Sequence, residues 1–405
     1  MQRLLLIFGI LLLFATEILR VYFTMPFPGS QHANTIDLAY FIDRNRIYLR
    51  LLGLLLVITP LLRYLSKGRI WTKLGLSVVI ILYAVVFYFF NFRFEADKMF
   101  YQPGTVRFAD AATNKVAPEK LVIGISINHE TKAYPIQIIG YHHQVRDTVG
   151  GMPVMITYCT VCRTGRVYSP MVNGRNENFR LVGMDHFNAM FEDATTKSWW
   201  QQATGVSIAG PLKNNRLREL DSYQSSLSEW ISEHPDTKIL QPDTVYKKQY
   251  DDLADFDKGT IKGSLEKRDS ASWKAKSWVI GIKSENATRA YDWNDLVDHP
   301  LIQDTIGNTP ILLLLGPDSA TFHVWNRNVG GQTLQFIQVP GQPYIKDSAT
   351  GSTWGFNGKC IAGSLKDQQL LPVQYYQEFW HSWSNFHPAT TQYKLLSVSG
   401  VKNGK

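Results

Sequence analysis

The chain has 405 residues, a formal net charge of +8 and only three cysteines, too few for a disulfide-rich scaffold. Its length allows two or three domains, and its basic character first suggests a nucleic-acid partner. The basic excess lies mainly in residues 1–98, which hold eleven Lys and Arg against five Asp and Glu. Because the remainder is near neutral and has no Lys/Arg cluster interleaved with aromatic residues, we expect no nucleic-acid partner.

Three apolar runs occupy the first quarter of the chain, at residues 4–23, 47–65 and 74–92. The third is uncharged over 19 residues, enough for a helix that crosses a hydrocarbon core of about 30 Å. A cleaved signal peptide is the alternative for the first run, but no small-x-small cleavage site follows it. We therefore predict a membrane region with three transmembrane helices at residues 1–98, and the lipid bilayer as its partner.

The orientation of these helices follows from the charges of the loops. Arg63, Lys67, Arg69 and Lys73 lie in or beside the short link between the second and third runs, with no acid among them. The positive-inside rule places this link in the cytoplasm. We therefore expect an integral protein of a bacterial cytoplasmic membrane, with its N-terminus inside and its C-terminal domain extracytoplasmic.

The rest of the chain contains an internal repeat. Val-Ile-Gly-Ile at 122–125 recurs at 279–282, and Asp-Thr-Val-Gly at 147–150 returns as Asp-Thr-Ile-Gly at 304–307, both displaced by 157 residues. Ile-Ala-Gly at 208–210 recurs at 361–363 with a step of 153. Residues shared by the two copies indicate common architecture, whereas residues found in one copy are candidates for chemistry.

Each copy has the pattern of short strands separated by turns and closed by one helix. The predicted strands include 121–127 and 152–158 in the first copy, and 309–315 in the second. The closing helices are predicted near 222–233, with Ser222 as N-cap, and near 373–383. Residues 243–276 are strongly charged, which favours a solvated linker.

We therefore predict N-terminal transmembrane α-helices followed by a β-rich α+β domain built from two pseudo-symmetric repeats. The first repeat spans residues 99–242, the charged linker 243–276, and the degenerate second repeat 277–405.

Only the first copy carries a Cys-x-x-Cys motif. Cys159 and Cys162 align with Gly316 and Ser319 of the second copy. Two thiolates at this spacing can bind one metal ion at about 2.3 Å each, or close a short disulfide. The residues after Cys162 have the pattern of a returning β-hairpin rather than of a helix, which favours a metal-binding knuckle. Copper or zinc suits such soft sulfur ligands.

A metal site of this kind needs imidazole ligands as well. The candidates are His142, His143 and His186. His142 aligns with His299 in the second copy, whereas His143 aligns with Pro300 and His186 with Pro340. The rule that chemistry differs between copies therefore favours His143 as the partner of the cysteines.

A second group of candidates could line a pocket. Asn188 and Gln201 have no equivalent in the second copy, and Arg163 beside the second cysteine can bind an anion or a carboxylate. Asp193 and Trp200 recur as Asp347 and Trp354, which favours a structural turn with a buried indole.

Two further functions compete with metal binding. The cysteines can serve in thiol–disulfide exchange, or form a stabilising disulfide without metal. The tryptophans of the repeats can instead line a groove for a peptide or glycan, with the hydrophobic core as the alternative place for them: Trp199, Trp200, Trp354, Trp380 and Trp383. No P-loop, dinucleotide fingerprint, nucleophile elbow or His-Glu-x-x-His motif is present, so the sequence identifies neither a reaction nor a protein partner.

Four segments together resemble the family called domain of unknown function 3179. These segments are Asp-Thr-Val-Gly-Gly-Met-Pro-Val at 147–154, Thr-Tyr-Cys-Thr-Val-Cys-Arg-Thr-Gly at 157–165, Asp-Ala-Thr-Thr-Lys-Ser-Trp-Trp-Gln-Gln at 193–202, and His-Pro-Asp-Thr at 234–237. The resemblance covers residues 100–240 closely and the second copy faintly. It implies a His five residues before Asp147, which is His142, whereas Arg146 and Thr160-Val161 depart from the family's pattern. It implies no established activity.

Overall fold

The structure is a computed structural model that describes residues 1–395; the last ten residues of the predicted second repeat lie outside that range. The chain begins with four helices and one short 3-10 turn, Ser30–His32: α1 Gln2–Tyr22, α2 Ile36–Lys67, α3 Ile70–Phe92 and α4 Ala96–Met99. The first three helices are long and apolar enough to cross a membrane. The prediction of three helical spans is confirmed at this level.

A β-rich region follows, with two helices among its first fourteen strands. These elements are β1 Phe108–Asp110, β2 Leu121–Ile127, β3 Glu130–Pro135, α5 Ile136–His142, β4 Gln144–Val149, β5 Met152–Cys159, β6 Thr164–Tyr168, β7 Met171–Val172, β8 Arg175–Asn176, β9 Phe179–Asp185, β10 Asn188–Asp193, β11 Trp199–Gln201, β12 Ser207–Ala209, β13 Tyr223–Ser226, α6 Leu227–Glu233 and β14 Lys238–Leu240.

The chain then passes through a 3-10 turn, Thr244–Tyr246, into a second series of elements. These are α7 Lys247–Asp252, β15 Trp278–Ser284, β16 Ala287–Asp292, α8 Trp293–Asp298, β17 Leu301–Ile306, β18 Thr309–Leu315, β19 Phe322–Asn326, β20 Asn328–Val329, β21 Gln332–Thr333, β22 Phe336–Gln338, β23 Tyr344–Asp347, β24 Thr353–Gly355, β25 Cys360–Ala362, β26 Leu371–Pro372, β27 Tyr375–Phe379, α9 Trp380–Phe386 and β28 Thr391–Gln392.

These elements form two compact units. One unit comprises residues 1–102 and 170–218, and among the described residues the other comprises 103–169 and 219–395. The division does not follow the boundaries expected from the repeats, which remain a prediction. The cysteine motif belongs to the second unit.

The first unit combines helices α1–α4 with the sheet β12-β11-β10-β9. Its core packs Ala39 of α2 against Met190 and Trp199 of the sheet. Inside the helices, the fully buried Glu17 accepts hydrogen bonds from Arg50 at 2.6 and 2.7 Å. This pairing neutralises charges that would otherwise be costly within an apolar span.

The second unit repeats one sheet order twice. The strands β13, β2, β3 and β14 lie side by side, and β27, β15, β16 and β28 do so in the same order. The register is also shared, because Val122 pairs with Pro135 as Val279 pairs with Asp292. Duplication of one unit remains the sequence-based interpretation of this likeness.

One packing detail recurs in both halves. A side chain on Gly124 would meet the indole of Trp230, and one on Gly281 would meet the indole of Trp383. Both tryptophans are almost fully buried. Glycine is therefore required at these two strand positions because the tryptophan ring lies directly on the backbone.

The closing helices begin later than the sequence predicted. Residues 223–226 form strand β13, and α6 starts at Leu227, where the hydroxyl of Ser226 accepts a hydrogen bond from the Glu229 N–H at 3.3 Å. Ser226 rather than Ser222 is therefore the N-cap. Pairing with a neighbouring strand outweighed the helical pattern here, and again at β27 before α9.

The charged segment 243–276 is not simply a solvated linker, as the sequence suggested. Tyr250 and Phe256 are 4% and 1% exposed, and the Leu121 N–H donates to the Asp257 carboxylate at 3.1 Å. Burial raises the pKa of Asp257. The sequence did not predict this packing, because the apolar residues of segment 243–276 are few and widely spaced. The short helices α5 and α8 were likewise not predicted.

Candidate functional site

The Cys-x-x-Cys motif closes a β-hairpin, as the sequence predicted. Cys159 is the last residue of β5, and it pairs with Thr164 at the start of β6. The turn is fixed by a hydrogen bond of 3.2 Å from the Arg163 N–H to the Thr160 carbonyl, with Arg163 at a positive φ of 54°. Cys162 therefore lies in the turn itself and not at the N-terminus of a helix.

The two thiols lie together in a sealed environment. Cys159 and Cys162 are both 0% exposed, and no disulfide joins them. Burial raises the pKa of the Cys162 thiol well above its ordinary value, and the neighbouring Cys159 side chain raises it further. Both effects disfavour the thiolate, because a negative charge would lack solvent and would lie beside a second sulfur.

A lysine and a histidine from the second half of the chain approach the same turn. The Lys276 ammonium donates to the Val161 carbonyl at 2.6 Å and lies 3.3 Å from Nε2 of His381. Burial lowers the pKa of Lys276, while the two thiols oppose that shift. Burial also lowers the pKa of His381 to about 4, and Lys276 adds to this effect. A neutral imidazole therefore lies beside a cation at neutral pH.

Strand β27 and the first turn of α9, which contains His381, also place polar groups beside Cys162. The Phe379 N–H donates to the Cys162 carbonyl at 3.0 Å. Ser382 hydrogen-bonds the Cys162 thiol, which lowers its pKa, and its hydroxyl donates to Glu378 at 2.7 Å. The hydroxyls of Ser382 and Thr164 lie 3.2 Å apart. The thiol pair is thus enclosed by groups from both halves.

The structure places the two adjacent histidine candidates at the end of α5. His142 is fully buried, and its Nε2 lies 2.7 Å from the Tyr250 hydroxyl. His143 adopts a positive φ of 60°, and its Nδ1 lies 3.1 Å from the Tyr141 carbonyl. Burial lowers the pKa of His143 to about 4. His142 thus contacts α7 and His143 contacts its own segment, and their predicted role as metal ligands remains a prediction.

Arg163 lies fully buried beside the cysteines. Its Nε donates to the Gln377 side chain at 2.9 Å and its Nη1 to the Phe256 carbonyl at 3.2 Å. Its guanidinium also covers the Trp278 ring at 3.8 Å. Burial lowers the pKa of Arg163. The predicted anion-binding role is untested, and the contacts seen are those of a residue that joins the two halves.

The remaining candidates belong to the other compact unit. His186 lies 2.8 Å from the Asp185 carboxylate, and this hydrogen bond raises its pKa. Asn188 donates to Gln202 at 2.9 Å, and Gln201 donates to Asp185 at 2.6 Å. These side chains therefore hydrogen-bond within the sheet of the first unit, whereas the cysteines lie in the second.

Asp193 and Trp200 form the structural turn that their recurrence indicated. The Trp200 indole donates to Asp193 at 2.9 Å, as Trp354 donates to Asp347 at 3.0 Å. Each carboxylate also accepts the backbone N–H of the threonine three residues later. Their shared contacts favour architecture over chemistry.

The tryptophans proposed to line a groove are mostly inside the protein. Four of the five are at most 2% exposed, and the indole N–H of each donates to a side chain of the protein: Trp199, Trp200, Trp354 and Trp383. Within residues 1–395, no group of three or more His, Cys, Asp or Glu residues could hold one metal ion.

The groups around the thiols that sequence reasoning missed are Lys276, Glu378, His381 and Ser382. A signal for them existed. Glu378 and His381 stand where the first copy has Ser225 and Ser228, at the same step of 153 that relates Trp230 to Trp383. The rule that chemistry differs between copies, applied to the second copy as well as to the first, would have selected both residues.

The fold and the site together define a β-rich domain that follows three apolar helices and encloses a buried thiol pair. Residues 102–390 match the family described as protein of unknown function, DUF3179, and the chain belongs to this family. No curated protein and no solved structure matches the chain.

Proposed function

We propose that Cys159 and Cys162 form a dithiol–disulfide redox centre that works at low potential, in a protein that its three apolar helices anchor to a membrane. The observation that carries the proposal is that two fully buried thiols lie together at one hairpin turn. The aligned residues of the second half, Gly316 and Ser319, carry no thiol. The spacing of two residues permits a disulfide within the turn.

The electrostatics of the site favour a stable disulfide over a stable dithiolate. A raised thiol pKa makes the reduced pair a poor thiolate donor at neutral pH and removes the stabilisation that strongly oxidising pairs give to their reduced form. We therefore expect a reduction potential at or below about −270 mV, in the range of reducing thiol pairs. The protein would act as a two-electron donor rather than as an oxidant.

The chemical step is thiol–disulfide exchange with a disulfide-bearing partner. One thiolate of the pair attacks a partner sulfur, forms a mixed disulfide and releases one partner thiolate. The second cysteine then attacks the mixed disulfide, so that the Cys159–Cys162 disulfide forms and the second partner thiolate leaves. The centre loses two electrons and two protons, and the partner gains two thiols.

Lys276 and His381 have separate parts in this step. The Lys276 ammonium supplies the positive charge that a transient thiolate needs in a buried site. The His381 imidazole, neutral near pH 7, lies 3.3 Å from the Lys276 ammonium and 3.1 Å from the Val161 carbonyl, and it positions Lys276 beside the turn without adding a second positive charge. Since both thiols are inaccessible in the closed turn, exchange requires the turn to open, and we expect slow reaction with external reagents.

Thiol counting on the full-length protein tests this proposal. Protein oxidised with diamide and then alkylated in denaturant should show one reactive thiol, Cys360, whereas reduced protein should show three. Equilibration in dithiothreitol buffers should give a two-electron transition at the potential expected above. Three reactive thiols after oxidation would contradict the proposal.

Two variants separate the thiol pair from its surroundings. Cys360→Ser should leave the transition unchanged, because Cys360 lies on strand β25 of a different sheet. Lys276→Met should preserve disulfide formation while it slows exchange about tenfold or more. Copper or zinc binding, the first prediction from the sequence, is tested by elemental analysis of the same samples. One metal ion per chain that is lost in Cys159→Ser/Cys162→Ser would favour that function instead.

A further inference from the structure

The two halves of the second unit meet at two equivalent junctions that are filled differently. At one junction, Arg166 of β6 forms a buried ion pair with Glu378 of β27, and the two side chains are 2% and 1% exposed. The guanidinium also stacks on the Tyr376 ring at 3.4 Å. Long, paired side chains therefore occupy this junction.

The strand registers identify the equivalent positions at the other junction. Arg166 pairs with Thr157 on β5, and the residue 157 positions later, His323, pairs with Leu314 on β18. Glu378 likewise faces Val279 on β15, and Ser225 faces Val122 on β2. Where the first junction has arginine and glutamate, the second thus has histidine and serine.

The shorter side chains leave a cavity of about 290 Å³. Its polar lining includes Ser225, Glu233 and His323, and its apolar lining includes Val324, Trp325 and Leu370. The His323 ring stacks on Trp325 with their centroids 5.2 Å apart. The cavity is of the size that holds a small organic ligand.

Among residues 1–395, three buried polar atoms at this cavity have no hydrogen-bond partner: Ser225 Oγ, Glu233 Oε1 and His323 Nε2. Ser225 is 2% exposed, and the side chains of His323 and Glu233 are 9% and 16% exposed. Nε2 of His323 and Oε1 of Glu233 lie 3.3 Å apart without a hydrogen bond between them. Unsatisfied buried groups of this kind are costly, and a ligand that supplies donors removes the cost.

We infer that this cavity binds a small primary amine as its ammonium ion, with an apolar body. An ammonium group has three N–H donors, which matches the three unsatisfied atoms. His323 accepts when it carries its proton on Nδ1, and the Glu233 carboxylate balances the charge of the ligand. The apolar body of the ligand packs against Val324 and Leu370.

The charge of the lining excludes an anionic ligand. No Lys or Arg is among the residues that surround the cavity in the described chain, so a phosphate or carboxylate would find no counter-charge. A quaternary ammonium ion would bring the right charge but no donors, and it would leave all three atoms unsatisfied.

Binding of n-butylammonium to the full-length protein in nanodiscs tests this inference, with isothermal titration calorimetry as the measurement. We expect saturable binding of one molecule per chain, and at least tenfold weaker binding of 1-butanol, tetramethylammonium and butyrate. Equal binding of 1-butanol would show a merely apolar cavity, and a preference for tetramethylammonium or butyrate would show other chemistry. Each of these outcomes, or no binding, would overturn the inference.

Two variants locate the ligand. Glu233→Gln removes the charge with little change of shape and should weaken butylammonium binding at least tenfold, whereas Glu229→Gln on the same helix should not. Ser225→Glu/His323→Arg transfers the ion pair of the first junction into the cavity and should abolish binding. Circular dichroism establishes that the double variant is folded. Unchanged affinity in Glu233→Gln would contradict the assignment to this cavity, even if the double variant failed to fold.

Discussion

The turns that end the hairpins β5–β6 and β18–β19 differ, although the strands on either side share one register. In the first turn the Arg163 N–H donates to the Thr160 carbonyl, and Arg163 has the positive φ. In the second turn the Ser319 N–H donates to Gly316 at 3.0 Å, and Ser319 has the positive φ of 55°. Because Ser319 aligns with Cys162, the second turn is displaced by one residue. The two hairpins thus share their strand register, and they differ in the turn that carries the cysteines in the first copy.

Each turn is also closed by the helix start of the opposite half. Thr164 lies 3.2 Å from the Ser382 hydroxyl, and the Ser226 N–H donates to the equivalent Thr321 at 2.9 Å. A threonine of each turn thus contacts the opposite half, through a serine hydroxyl in one case and a serine N–H in the other. Glu378 stands beside the cysteines, whereas its counterpart Ser225 borders a cavity. Both halves therefore contribute to the difference between the two sites.

The largest expected effect concerns the buried ion pair and its counterpart. Arg166→Met leaves Glu378 charged and buried without its partner, which should lower the free energy of unfolding by about 3–5 kcal/mol. His323→Met at the equivalent position breaks no hydrogen bond to Glu233, whose carboxylate lies 3.3 Å from the imidazole without one, and should cost less than about 1.5 kcal/mol. Urea unfolding in detergent, followed by tryptophan fluorescence, measures both. Similar losses would mean that the two junctions are energetically alike.

Acid should destabilise the protein through two buried histidines, His143 of the first half and His381 of the second. Their pKa values of about 4 lie below the ordinary 6.5, so the unfolded chain binds more protons between these values. The stability they contribute is complete above pH 6.5 and is lost as the pH falls towards 4, by about 1.4 kcal/mol per pH unit for each. His143→Asn and His381→Ser should each reduce this slope, which unfolding at several pH values measures. The aligned Pro300 and Ser228 do not titrate, and an unchanged slope in both variants would contradict the assignment.

Substitutions in the shared architecture should affect the two halves alike. Gly124→Ala and Gly281→Ala each force a methyl group onto a tryptophan ring, at an expected cost of about 1–3 kcal/mol. Gly104→Ala, where the nearest atom lies 3.9 Å away, serves as the control. Thermal unfolding of the three variants compares them. A large effect in one half alone would weaken the view that these strands are equivalent.

Local sequence patterns predicted the strands and the hairpin well. The predicted strands at 121–127 and 309–315 are β2 and β18, because alternation and β-branched residues report directly on a buried strand. The same local patterns missed β13 and β27, where strand pairing with β2 and β15 overrides a helical pattern. Such pairing depends on residues far away in the chain, which periodicity does not detect.

The site divides in the same way between local and distant residues. Cys159, Cys162 and Arg163 were found from the sequence because one short motif carries them. Lys276 and His381 were not, because they reach the turn only after β27 and β15 have paired across the two halves. The sequence favoured His142 and His143 at the end of α5 as partners of the cysteines, whereas the imidazole beside the turn is that of His381 on α9.

Moving the Cys-x-x-Cys spacing to the second turn should change stability least, and it separates the role of the spacing from that of the turn. Gly316→Cys/Ser319→Cys, made in a Cys159→Ser/Cys162→Ser background, places the same spacing on a turn displaced by one residue. Gly316 and Ser319 are the first and fourth residues of their hydrogen-bonded turn, whereas Cys159 precedes its turn and Cys162 is the third residue in it. A disulfide needs Cβ atoms about 3.5–4.5 Å apart, and we expect the displaced turn to miss this spacing. Glu119, at the position equivalent to Lys276, would also oppose a thiolate. Diamide oxidation followed by alkylation and mass spectrometry should therefore show a closed pair in the natural turn and two open thiols in the transplanted one. If both pairs closed at one potential, spacing alone would suffice, and the turn and its lysine would have no part in the chemistry.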